Sequence, residues 1–103
     1  MMAQFKKGVL EMAILFTVSK KDTYGYELMK EIKLHFPDTY EGTIYTVLRR
    51  LAQDNHVTIY EGKTSGGPKR KYIRVTEGGT VYLNNMIAQW QALCNSIREL
   101  GIE

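Results

Sequence analysis

The sequence predicts a mainly α-helical domain with one small β-hairpin and a long closing helix. Three observations carry this expectation. Apolar residues recur at three and four through residues 5–18, 24–36 and 43–51, the period of a buried helix face. The period drops to two in Val57-Thr58-Ile59-Tyr60 and Tyr72-Ile73-Arg74-Val75, on either side of the turn Ser65-Gly66-Gly67-Pro68. From Leu83 to Leu100 the apolar spacing alternates between three and four, as in a coiled-coil seam. At 103 residues, 44% hydrophobic and 24% charged, the chain has material for one domain with a modest core.

The first helix rests on Val9, Leu10, Ala13, Ile14 and Leu15, and Lys20-Lys21-Asp22 breaks it. Asp22 or Thr23 is expected to cap the second, whose stripe Tyr24, Leu28, Ile32 and Phe36 stops before Pro37. The third places Ile44, Val47, Leu48 and Leu51 within a narrow arc at ~100° per residue. Thr46, Arg49, Arg50 and Gln53 then project outward, with Tyr45 on the flank. Asn55, which tolerates a left-handed turn, precedes the hairpin. Thr76 is expected to cap the last helix, with Glu77 favourably placed at its positive end and Gly78 and Gly79 weakening its first turn.

Leu83, Met86, Trp90, Leu93, Ile97 and Leu100 form the seam of that helix. A seam of this length, roughly 25 Å, exceeds what one small core absorbs, so a dimer contact is expected. Three helices followed by a hairpin is the order of a winged helix-turn-helix. The expected division is a winged helix-turn-helix unit over 1–76 and a dimerisation helix over 77–103.

Charge sharpens the reading. The net charge is +3, but residues 1–42 are neutral, residues 43–75 carry seven Lys or Arg against two acids, and residues 76–103 are net negative. A basic block confined to the third helix and the hairpin is the electrostatic footprint of a polyanion partner. One cysteine, Cys94, excludes an intrachain disulfide framework and a multi-thiolate metal site. No nucleophile–base pair or metal constellation supports an enzyme, and no cofactor is expected. The longest apolar stretch is far short of the ~20 residues of a membrane span, and a reducing, cytoplasmic setting is expected.

Three motifs in order resemble the PadR family of winged-helix transcriptional regulators. They are Tyr24-Gly25-Tyr26-Glu27-Leu28, then Glu41-Gly42-Thr43-Ile44-Tyr45 with Leu48-Arg49-Arg50-Leu51, then Gly67-Pro68-Lys69-Arg70-Lys71-Tyr72 running into Val75-Thr76-Glu77-Gly78-Gly79. The resemblance covers nearly the whole chain, and its length is similar to that of the short subfamily with a single C-terminal helix. It implies a homodimer that binds operator DNA, represses transcription and releases DNA when a small molecule binds. Some short members bind flat aromatic compounds at the dimer interface near a tryptophan of the last helix, and Trp90 has a matching place. Thr46, Asn55 and Ile73 depart from the residues common in the family.

The expected DNA contacts are Tyr24, Thr43, Tyr45, Thr46, Arg49, Arg50, Lys63, Lys69, Arg70 and Lys71. Arginine suits guanine edges and phosphates, and the basic hairpin needs only to neutralise phosphates. Tyr24 has two readings, as a core residue of the apolar stripe or as a phosphate donor. Phe5, Met86, Trp90 and Leu93 are the expected ligand-site residues, with Trp90 alternatively a plain packing residue. The rival from another class is a winged-helix protein-interaction module that never touches DNA, and the confinement of basic charge to the third helix and hairpin argues against it.

Overall fold

The computed structural model of the chain describes residues 2–62 and 67–103, with side chains from Gly8 onward. The elements run α1 (Met2–Lys20), β1 (Thr23–Tyr24), α2 (Gly25–His35), α3 (Glu41–Gln53), β2 (Val57–Gly62), β3 (Arg70–Val75) and α4 (Glu77–Leu100). Lys63 and the Ser65–Gly66 half of the turn lie outside the described residues, as does the side chain of Phe5. Among the described residues no helix is long and apolar enough to cross a membrane.

The core forms where the helical stripes meet. Leu10, Ile14, Leu15 and Val18 of α1 pack with Leu28, Met29 and Ile32 of α2 and Ile44, Val47, Leu48 and Leu51 of α3. Val57, Ile73 and Leu83 close it from the sheet and from α4. The third helix buries the four residues its period selects. Asn55 takes a positive φ of 61° and turns the chain out of α3 into β2.

Three features differ from the sequence expectation. The second helix is capped by neither Asp22 nor Thr23. Its N-cap is Tyr24, extended and without a side-chain cap bond; the Asp22 carboxylate instead accepts from Tyr60 and Arg74, and the Thr23 hydroxyl donates to the Lys21 carbonyl at 2.9 Å. Thr23 and Tyr24 instead form β1, which pairs with Ile73 and Tyr72 and makes a three-stranded antiparallel sheet of order β1-β3-β2. A two-residue strand carries no period, so nothing local announced it. In β2 the alternation is likewise incomplete: Ile59 lies opposite the buried Ile73 yet is 43% exposed.

Thr76 caps α4 as expected, accepting from the Gly79 amide at 2.9 Å. Gly79 does more than weaken the first turn. A Cβ there would lie 2.0 Å from the His56 carbonyl oxygen, so only glycine lets α4 lie this close to the turn after α3. The first half of α4 packs on the core through Tyr82, Leu83, Met86 and Ile87. Its second half projects into solvent, which makes the molecule 55 Å long by 29 by 21 Å.

Candidate nucleic-acid interface

The apolar stripe of α3 determines what its other side offers. With Ile44, Val47, Leu48 and Leu51 turned inward, Thr43, Tyr45, Thr46, Arg49, Arg50 and Gln53 are all exposed. At ~100° per residue, Thr46, Arg49 and Gln53 form the row directly opposite the core, with Tyr45 on one flank and Thr43 and Arg50 on the other. Neither arginine is held in a salt bridge among the described residues. The Thr46 hydroxyl donates to the Gly42 carbonyl at 2.8 Å, which leaves its lone pairs and methyl group as the outward chemistry. Arg50 is the outlier of the set. It and Asp54 act electrostatically on the Tyr82 hydroxyl of α4, in opposite senses, so Arg50 lies toward the α3–α4 junction.

The hairpin supplies the second basic group. Lys69, Arg70 and Lys71 are exposed. Successive strand residues face opposite ways, so Arg70 and Lys71 serve different faces. Lys71 stands across from Glu61. The Arg70 guanidinium lies 4.4 Å over the ring of Tyr24. Tyr24 is half-buried against the sheet and meets Tyr72 edge-on at 5.8 Å, so it belongs to the hairpin's outer surface and not to the helical core. A Cβ on Gly62 would strike the Tyr72 ring at 2.4 Å, so glycine there makes room for this aromatic row.

One basic residue of the middle third is spoken for. Arg74 Nε donates to Asp22 Oδ2 at 2.9 Å and Nη2 lies 2.9 Å from the same oxygen. The Tyr60 hydroxyl also donates to that oxygen. The two donors hold the Asp22 carboxyl below the usual carboxylate range, the Tyr60 hydrogen bond first and Arg74 next. The same contacts push the Tyr60 phenol and the Arg74 guanidinium up. Counting Arg74 among the free positive charges therefore overstates them, because its partner lies far away in sequence.

The seam of α4 divides in two. Leu83 is buried and Met86 half-buried on the core, whereas Trp90 is 38%, Leu93 50%, Ile97 36% and Leu100 81% exposed. Beside Trp90 lies an open apolar groove of about 410 Å³, walled by Met12 and Phe16 of α1, Phe36 after α2 and Ile87 of α4. Of the expected ligand-site residues whose side chains are described, only Trp90 lines it. Met86 faces the core, and Leu93 is outside the groove on the exposed stripe. The α1 wall escaped sequence reading because Met12 and Phe16 look like parts of an ordinary amphipathic helix.

Comparison with known proteins bears on this arrangement as a whole. Residues 14–85 match the model of the "Transcriptional regulator PadR-like family". The structure is similar to a PadR-like transcriptional regulator from Bacillus cereus, with 35% identity, TM-score 0.86 and coverage of 94% of this chain and 95% of that one. It is also similar to a Streptococcus transcriptional regulator, with 31% identity, TM-score 0.86 and coverage of 94% and 96%. Among curated proteins the chain is 37% identical over 82 residues to the transcriptional regulator YqjI of Escherichia coli K12, spanning 77% of this chain but only 38% of that longer protein.

Proposed function

The chain belongs to the PadR-like family of transcriptional regulators, and from this premise we propose that it is a homodimeric repressor whose hold on DNA is released by a planar aromatic ligand. The observation that carries the DNA half is the outward row of α3, Thr46, Arg49 and Gln53 with Tyr45 beside it, exposed and in no ion pair among the described residues. A helix of about 10–12 Å diameter fits a major groove about 12 Å wide. Tyr45, Thr46 and Arg49 read base edges there. Thr43 and Arg50, on the far flank, meet the phosphates. Lys69, Arg70 and Lys71 neutralise the backbone alongside, with Tyr24 ordering the Arg70 guanidinium through its ring.

The dimer half rests on the exposed stripe Trp90, Leu93, Ile97 and Leu100, which is contiguous apolar surface of the kind that marks a protein contact. Trp90 borders an apolar groove, and two such grooves brought together across a two-fold axis suit a flat aromatic guest. Release follows if the ligand prefers a protomer spacing other than the DNA-bound one, since only differential affinity moves an equilibrium. Selection from a random-sequence duplex library tests the reading. It should return a two-fold symmetric site with half-sites about 34 Å apart or a multiple of that. Recovery of no enriched sequence, or of one without symmetry, overturns it.

A further inference from the structure

Two arginines of β3 share one face of the sheet and are treated oppositely. Tyr24, Tyr72 and Tyr60 are direct cross-strand neighbours, so their rings form a row across β1, β3 and β2. Arg70 and Arg74 flank Tyr72 two residues to either side and therefore lie on the same face. Each rests on a ring of the row, Arg70 over Tyr24 at 4.4 Å and Arg74 over Tyr60 at 4.8 Å. Tyr72 ties the two halves together, stacking on Tyr60 at 5.7 Å. The difference lies in the anion. Among the described residues Arg70 has the ring and no anion, while Arg74 also has the Asp22 carboxylate, which accepts from Arg74 and from Tyr60 on one oxygen.

We propose that Asp22 limits sequence-blind DNA binding: it withholds the Arg74 charge from the phosphate backbone and leaves Lys69, Arg70 and Lys71, among the described residues, as the charges the hairpin brings to DNA. The inference rests on the DNA-binding reading above. Each cation that neutralises a phosphate strengthens binding to every sequence alike, so it adds affinity without discrimination. Arg74 is four residues along the strand from Arg70, about 13 Å, on the same face. Phosphates recur about every 3.4 Å of helix axis along one strand, so a freed Arg74 reaches the backbone run that Arg70 lies along. Asp22 also sits in the corner between α1 and β1, two residues before the N-cap of α2. Its ion pair thus ties the base of the hairpin to the helix-turn-helix. The carboxylate is ionised throughout the neutral range, so the restraint is constant.

The test measures binding of a fluorescein-labelled mixed-sequence 30-bp duplex by anisotropy between 50 and 300 mM salt, and reads the slope of log affinity against log salt. Asp22→Asn should steepen the slope by about 0.9, one further phosphate contact. Arg74→Gln, with Asp22 in place, should leave the slope unchanged, and Asp22→Asn/Arg74→Gln should return it to wild type. Asp22→Glu, which keeps the anion, should behave as wild type, and Glu99→Gln controls for the lost negative charge on distant α4. A clamp of purely structural importance makes the two single variants alike, and that result overturns the inference. So does a flatter slope in Arg74→Gln, which would mean that Arg74 already contacts phosphate. Thermal melts accompany each protein, and Asp22→Ser replaces Asp22→Asn if the latter unfolds at assay temperature. Steep wild-type binding with no change in Asp22→Asn sinks this inference alone, whereas a wild type that binds no duplex sinks the DNA-binding reading with it.

Discussion

Arg49 and Tyr82 show what single side chains contribute. Arg49 stands in the middle of the outward row of α3 with no acid to hold it among the described residues, which leaves its fork for a base edge. Arg49→Ala should weaken binding to the selected DNA site by about 1–3 kcal/mol, the range for a bidentate base contact. Unchanged affinity in the Arg49→Ala/Arg50→Ala pair, measured by anisotropy, would remove α3 from the interface. Tyr82 works inside the protein. Its hydroxyl donates to Glu11 of α1, and that bond, burial and the Glu11 charge push its pKa up from 10.0 to about 12. A phenol whose folded pKa is raised stabilises the fold fully below pH 10 and loses that contribution as the pH rises through about 12. Tyr82→Phe should therefore be less stable than wild type at pH 8, and the gap should close between pH 10 and 12. Melting midpoints against pH check this, and a gap that stays constant to pH 12 would deny the bond. The outward position of Arg49 was legible in sequence, because it follows from the period of one helix. The Tyr82–Glu11 bond was not, because its partners are 71 residues apart.

At the scale of elements, the start of α4 is the most demanding junction. Gly78 and Gly79 look equivalent in sequence, yet the structure separates them. A Cβ on Gly78 would make only ordinary contacts, 3.8 Å to Thr76 Oγ1 and 4.0 Å to the Asn55 carbonyl, while one on Gly79 would run into the His56 backbone. Gly78→Ala should stabilise the protein by about 0.5–1 kcal/mol through reduced backbone entropy in the unfolded chain. Gly79→Ala should destabilise it by about 1–3 kcal/mol, since backbone must shift to admit the methyl group. Urea titration of both variants decides it, and equal effects of the same sign would refute the close approach. The hairpin tells the same story. Its two strands and turn are readable from local alternation, but β1, the tyrosine row and the Asp22 contact exist only once the corner after α1 is laid against β3.

For the molecule as a whole, the exposed end of α4 sets the next prediction. Tyr82, Leu83, Met86 and Ile87 belong to the core, so a truncation at Val81 would unfold the domain along with any dimer. Leu93→Glu/Ile97→Glu touches only exposed positions and should give a folded monomer with weakened DNA binding, read by sedimentation. A wild type that is monomeric at micromolar concentration would exclude the dimer. Trp90 is the only tryptophan, so its emission reports on the groove beside it. A Hoechst-type dye should quench it and release DNA, and insensitivity of both in wild type would leave Trp90 a packing residue. The sequence by itself determined the order of the four helices and the hairpin, the inward and outward faces of α3, the Asn55 turn and the Thr76 cap. All of these are short-range properties, set by spacing within one helix or turn. The tertiary structure decided which charges remain free, which glycine is indispensable and which part of the α4 seam the core consumes. Those outcomes depend on residues as distant as Asp22 and Arg74, 52 positions apart, and no local pattern encodes a partner that only folding brings within 3 Å.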